Sequence, residues 1–214
     1  VNNKRNLILL HANYFFLTGF FIRLFLLFCA VPNIHSEWFI PFLENSINNL
    51  SIDPWGNFLN KNFDSLAFPY GFSMLFVYFP LTFIGELFAK LSSNDFFLGL
   101  GFRFSSLLFD YFVLVFLAYL TDFRSNKILL FSYWCSPLII YIIYFHGQLD
   151  IVPIMFLVFS ICMVKTKKYK TAGFSISLAI SSKLSMIIAF PLILIYLISK
   201  KGFSLALYNF LTFS

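Results

Sequence analysis

Six ionisable side chains lie inside or beside long apolar stretches of this 214-residue sequence, and they are the first candidates for chemistry. A charged group in apolar surroundings is costly unless it pairs with an opposite charge or binds a polar ligand. The ordinary interpretation is therefore an internal ion pair, or a long side chain that reaches back to water. The six residues are Arg23, Glu37, Arg103, Asp110, Asp150 and Lys183.

The densest polar cluster between two apolar stretches is residues 146–150, His-Gly-Gln-Leu-Asp. A plain turn needs only Gly and Asp, so His146 and Gln148 are more than the turn requires. Lys183 follows two serines between two short apolar runs. A lysine in that position needs an anionic partner from the protein or from a ligand, for which a lipid-linked phosphate is a natural candidate.

The sequence predicts neither a metal ion nor a cofactor. Its three histidines and three cysteines are scattered, and their spacing matches no metal site or disulfide framework. The alternative is a metal ion bound by carboxylates that are far apart in the sequence, which spacing alone does not reveal.

The composition predicts a polytopic membrane protein. Hydrophobic residues make up 60% of the chain and charged residues 11%, whereas soluble domains carry about 25% charged residues. A single soluble domain and a disordered chain are both excluded by that balance. The net charge of +6 is typical of Lys and Arg flanking membrane helices, so we expect membrane lipid rather than nucleic acid as a partner.

The elements that position the candidate residues follow from the apolar runs. Residues 7–32 are long enough for a retained first transmembrane helix. Residues 33–67 form the longest polar segment, which holds Glu37, Asp53, Trp38 and Trp55. Apolar and polar residues recur there at roughly helical spacing, which predicts short helices lying on the membrane surface.

The positive-inside rule gives a topology when the basic clusters at 4–5, 165–170 and 200–201 are placed in the cytoplasm. Residues 7–32 and 128–145 then run outward, and 99–120 and 151–164 run inward. The runs 171–182 and 184–199 form a hairpin with Lys183 at its apex. Residues 33–98 are then external, so the run 68–91 either lies along the outer interface or dips in and returns at Pro80.

We expect one transmembrane domain over residues 1–214, with 33–98 as its external loop. The chain starts without Met and ends inside an apolar stretch, which indicates the N-terminal part of a longer protein.

In its order of motifs the sequence resembles the GT-C superfamily of integral-membrane glycosyltransferases, above all bacterial members and the mannosyltransferase that adds the first mannose of the GPI anchor. The motifs, in chain order, are His35-Ser36-Glu37-Trp38, Asp53-Pro54-Trp55, Phe68-Pro69-Tyr70-Gly71, Arg103 and Asp110, Ser136-Pro137-Leu138, His146-Gly147-Gln148-Leu149-Asp150, Lys183, and Phe190-Pro191.

The resemblance implies an all-α bundle of GT-C type with external juxtamembrane helices in its first loop. It also implies transfer of a hexose, with mannose among the candidates, from a polyprenyl-phosphate sugar to a lipid-, glycan- or protein-linked acceptor. We expect the enzyme in a bacterial plasma membrane, with its active site facing outward.

The same resemblance implies a role for each candidate residue. Glu37 corresponds to the catalytic base, and Asp150 or Asp53 could share that role. Lys183 and Arg103 would bind the donor phosphate. The substrate would contact three further side chains, those of His146, Gln148 and Asp53.

A transporter or lipid flippase is the rival interpretation, because it would also carry embedded charges. Transporters are commonly built from internal repeats. The segment 33–67 has no counterpart later in the chain, and a polar layer on one side only favours an enzyme working at that face.

Overall fold

The computed structural model describes residues 3–61, 64, 67–201 and 205–212, and within them the chain is helical with no strand. The all-α prediction is confirmed for this part. The side chains of Lys4, Lys200 and Lys201, which entered the predicted topology, lie outside the described set.

The first half of the chain contains the long helices and the short helices predicted between 33 and 67. Their bounds are α1 Asn3–His11, α2 Tyr14–Cys29, a π-helical turn His35–Phe39, α3 Ile40–Asn48, α4 Pro54–Leu59, α5 Phe72–Ser92 and α6 Phe96–Leu120.

The second half consists of shorter and more irregular helices. Their bounds are α7 Asn126–Leu129 with a π-helical turn Leu130–Trp134, α8 Pro137–Ile140 with a π-helical turn Tyr141–Phe145, α9 Ile151–Lys165, α10 Tyr169–Ser182, a 3₁₀ turn Leu184–Ile188, α11 Ala189–Lys201 and α12 Leu205–Leu211.

Two described helices, α5 and α6, are long and apolar enough to cross a membrane, and the number rises to four if each of two bent pairs is one span. Residues 5–11 and 14–29 meet at 59°, and residues 126–134 and 137–145 meet at 43°. The second bend lies where Ser136 caps α8 and Pro137 cannot supply the backbone N–H that a continuous helix needs. Membrane character is thus supported by helix length and composition.

Of the two courses predicted for the run 68–91, the return of the chain at Pro80 is wrong, and the position along the outer interface stays a prediction. Pro80 lies inside α5, a continuous helix of 21 residues that is about 31 Å long. Helix α5 packs closely along α6, where Gly85 and Gly101 let the two backbones approach each other. This packing, which the sequence pattern did not reveal, holds the helix together across its proline.

The contacts fix the relative directions of the helices. Helix α2 is antiparallel to α6, because Phe28 contacts Phe104 near one end of α2 and Phe16 contacts Tyr111 near the other. Helix α9 runs parallel to α6, with contacts from Phe156 to Phe109 and from Lys165 to the carbonyl of Leu120. Helix α10 is antiparallel to α9. These directions agree with the alternation that the basic clusters predict.

An ion pair joins α2 to α6 in the interior. Arg23 Nε lies 2.6 Å from Asp110 Oδ2, and both side chains are 0% exposed. Tyr133 and Tyr144 donate hydroxyl hydrogen bonds of 2.7 Å and 3.0 Å to the same carboxylate. The guanidinium also lies over the Trp134 ring, 3.8 Å from its centroid. Arg23 and Asp110 therefore have the ordinary structural role of an internal pair.

Candidate functional site

The candidate site is built around a second ion pair, between Lys183 and Asp150. Lys183 Nζ lies 2.6 Å from Asp150 Oδ1, and the two side chains are 35% and 33% exposed. Lys183 stands where α10 ends, in an extended conformation that breaks the helix, and Asp150 immediately precedes α9. Because α9 and α10 are antiparallel neighbours, the end of one and the start of the other place the two charges together.

The start of α5 closes this site from a third direction. Ser73 Oγ donates a 2.8 Å hydrogen bond to Ser181 Oγ. Gly71 approaches the carbonyl oxygen of Ser181 so closely that a Cβ atom at this position would collide with it. Residues far apart in the sequence thus converge at the ends of α5, α9 and α10.

Tyr70 is the neighbour of the ion pair that the sequence interpretation did not assign. Burial and, second to it, the nearby negative charge of Asp150 together raise the pKa of its hydroxyl from 10 to about 12. The Tyr70 hydroxyl therefore keeps its proton at neutral pH. Its position in the Pro-Tyr-Gly sequence just before a long apolar helix was the available signal.

The 146–150 segment is held in place by His35. Gly147 has φ +79°, and a Cβ atom there would contact His35 Nε2 and Pro32 Cβ at 2.7 Å. His35 Nε2 lies 2.9 Å from the Gly147 carbonyl oxygen, so this nitrogen carries the proton and donates. Burial lowers the pKa of His35 from 6.5 to about 4, which keeps the ring neutral. One hydrogen bond and the close packing at Gly147 thus attach this loop to the turn that carries His35.

Glu37 lies on that same π-helical turn, His35–Phe39, with an exposed side chain. Within the described residues its carboxylate has neither an ion pair nor a hydrogen bond. The contact between His35 and Gly147 attaches the Glu37 segment to the loop that leads to Asp150. The structure therefore links the two predicted carboxylates through their segments without bringing them into contact.

His146 and Gln148 are brought together on the exposed part of the loop. His146 Nε2 and Gln148 Nε2 lie 3.1 Å apart, and the backbone N–H of Gln148 donates to the Ile142 carbonyl at 3.0 Å. Both polar side chains remain available for a ligand at the same end of the molecule as Asp150.

Arg103 and Asp53 do not join this group. Arg103 is buried in α6 and donates to the carbonyls of Gly99 at 3.0 Å and Ala30 at 2.9 Å, which ties the end of α2 to α6. Asp53 accepts a 2.9 Å hydrogen bond from the Gly56 N–H and caps α4. Each residue thus has a structural role that requires no ligand.

In the described part of the chain, no three metal-ligating side chains lie close enough together to hold an ion.

No protein-family model, curated protein or solved structure matches the chain. The chemistry of the site therefore has to be argued from its own geometry.

Proposed function

We propose that the chain belongs to a membrane hexosyltransferase of GT-C type, in which Lys183 binds the phosphate of a polyprenyl-phosphate sugar. The observation that carries the proposal is the ion pair between Lys183 and Asp150, each about one-third exposed, at the junction of three helix ends. The donor phosphate is a phosphodiester that carries one negative charge and two non-bridging acceptor oxygens, so it can take the place of the Asp150 carboxylate on the ammonium group.

The surface beside Lys183 suits a lipid rather than a soluble anion. The residues that follow it in the chain expose large apolar side chains, with Leu184 73% and Ile188 71% exposed. A cation next to an apolar surface is suited to bind an amphiphile in which a phosphate is attached to a hydrocarbon chain. The polyprenyl chain would lie along this surface while the sugar points toward His146 and Gln148.

Glu37 is the proposed general base because its carboxylate is exposed and unpaired among the described residues. It takes the proton from the acceptor hydroxyl as that oxygen attacks the anomeric carbon. The bond between the anomeric carbon and the phosphate oxygen breaks, and its electron pair leaves with the polyprenyl phosphate. Lys183 stabilises the negative charge that develops on the leaving phosphate, and Asp150 positions the lysine.

The proposed active side faces outward, because the opposite ends of α6 and α9 lie next to the basic cluster at 165–170. A bacterial plasma membrane is the proposed location, and a lipid-, glycan- or protein-linked hydroxyl is the proposed acceptor.

The test is transfer of labelled hexose from a polyprenyl-phosphate donor in membranes that contain the full-length protein. We expect Glu37→Gln to lower the rate about 10²–10⁴-fold, the usual contribution of a general base. Glu44→Gln is the matched control, since Glu44 is an exposed carboxylate on the following helix.

Equal transfer rates for wild type and Glu37→Gln would reject Glu37 as the base and turn attention to Asp150. Failure of the wild type to consume any polyprenyl-linked sugar would reject the enzyme and favour the transporter or flippase.

A further inference from the structure

A cavity lies at the opposite end of α9, away from the candidate functional site. Its volume is about 760 Å³, within the usual range of about 300–1,000 Å³ for small-molecule sites. It opens between α9, α11 and the last residue of α6. Its interior is lined by the apolar side chains of Leu120, Ile161, Val164, Leu192, Ile193 and Leu197.

The mouth of this cleft is basic. Lys165 and Lys167 line it together with the amphipathic residues Tyr169 and Tyr196. The Lys165 ammonium group is already used, because it donates to the carbonyls of Tyr119 and Leu120 and to the carboxylate of Asp122.

Lys167 differs from Lys165 in having an exposed side chain without a partner among the described residues. It stands in a left-handed turn, φ +62°, immediately after α9. The neighbouring Lys168 is exposed too, and Asp122 is neutralised by Lys165. An uncompensated positive charge therefore lies at the entrance of an apolar cleft.

We infer that the cleft binds an anionic diacyl phospholipid, with its phosphate at Lys167 and one acyl chain between α9 and α11. An anionic amphiphile satisfies both halves of the site, since the interior is apolar and the entrance is cationic. Basic pockets between membrane helices on the cytoplasmic side are a recognised setting for anionic lipid headgroups. A second copy of this chain would have to present an acidic group beside an apolar helix to fit as well.

The test is native mass spectrometry of the purified full-length protein with phosphatidylglycerol or phosphatidylcholine of identical acyl chains. We expect wild type to retain phosphatidylglycerol about fivefold more strongly, the contribution of one interfacial lysine. Lys167→Ala should remove this preference. Lys127→Ala is the matched control, because Lys127 is exposed at the same end of the bundle but does not line the cleft.

The apolar half of the site is tested by Leu192→Trp, which fills the cleft from an exposed position and should lower the retention of both lipids. Equal retention of the two lipids by wild type would overturn the proposal, as would a loss of preference in Lys127→Ala equal to that in Lys167→Ala. Dimer formation that Leu192→Trp abolishes would assign the cleft to a second copy instead.

Discussion

At the scale of single residues, the buried Arg23–Asp110 pair illustrates why a charge in an apolar segment is not by itself a functional site. Asp110 accepts hydrogen bonds from Arg23, Tyr133 and Tyr144, and neither charged side chain has exposed surface. The sequence identified both residues as unusual. It could not show that they pair, because the partners lie 87 positions apart.

We predict that Asp110→Asn destabilises the protein by about 3–5 kcal/mol, because it leaves the Arg23 charge buried and uncompensated. Asp122→Asn is the control and should cost less than about 1 kcal/mol, since Asp122 pairs with Lys165 at the surface. Thermal unfolding of the purified protein measures both. Equal losses of melting temperature would mean that the buried pair has no special role.

His35 gives a prediction on pH. Folding lowers its pKa from 6.5 to about 4, so the unfolded chain binds more protons between these values, and stability falls as the pH drops through this window. The full effect, at about 1.4 kcal/mol per pH unit, is about 3 kcal/mol.

We therefore expect the melting temperature of wild type to fall between pH 6.5 and pH 5, and that of His35→Gln to fall less. His146→Gln, at an exposed histidine, should behave as wild type. Identical pH profiles for wild type and His35→Gln would contradict the buried neutral histidine.

At the scale of elements, the packing of α5 against α6 determines the course of the chain over residues 68–91, which the length of the apolar run alone does not. The apolar run 68–91 is long enough for one helix, but Pro80 in its middle suggested that the chain could dip into the membrane and return to the same side. The close contact of Gly85 with the α6 backbone keeps α5 alongside its neighbour. Contacts of this kind depend on which two helices meet, and a single sequence does not contain that information.

Gly101 tests the α5–α6 contact. A Cβ atom there would collide with the Leu81 carbonyl, so we predict that Gly101→Ala costs about 1–3 kcal/mol. Gly99→Ala on the same helix is the control, because its Cβ would make ordinary contacts with Ile40 Cδ1 at 3.4 Å and Arg103 Nη2 at 3.8 Å and would gain up to about 1 kcal/mol of helix propensity. Chemical unfolding compares the two, and equal stability would show that the helices do not pack as described.

At the scale of the whole molecule, the order of apolar runs and basic clusters was enough to predict the relative directions of α2, α6, α9 and α10, but not that of α5. It was also enough to place Lys183 between two short helical segments, which are α10 and the turn Leu184–Ile188. The pairing of Lys183 with Asp150 and the approach of Tyr70 could not be predicted. They depend on three helix ends that meet only after the bundle has formed.

The proposed orientation predicts that a cysteine introduced at Ser51 reacts with a membrane-impermeant thiol reagent in intact cells. A cysteine at Lys168 should react only after permeabilisation, since it lies in the basic cluster. Both positions are exposed, and the three native cysteines are first replaced by alanine. The reverse labelling pattern would invert the topology and place the Lys183 site in the cytoplasm.

The most direct test of the central proposal is the affinity of the purified full-length protein for polyprenyl phosphate. If phosphate competes with Asp150 for Lys183, then Lys183→Met should weaken binding at least about tenfold, and Asp150→Asn should strengthen it, because the competing carboxylate is gone. Lys127→Met is the matched control and should bind as wild type. Unchanged affinity in Lys183→Met would contradict the assignment of this ion pair as the lipid-phosphate site.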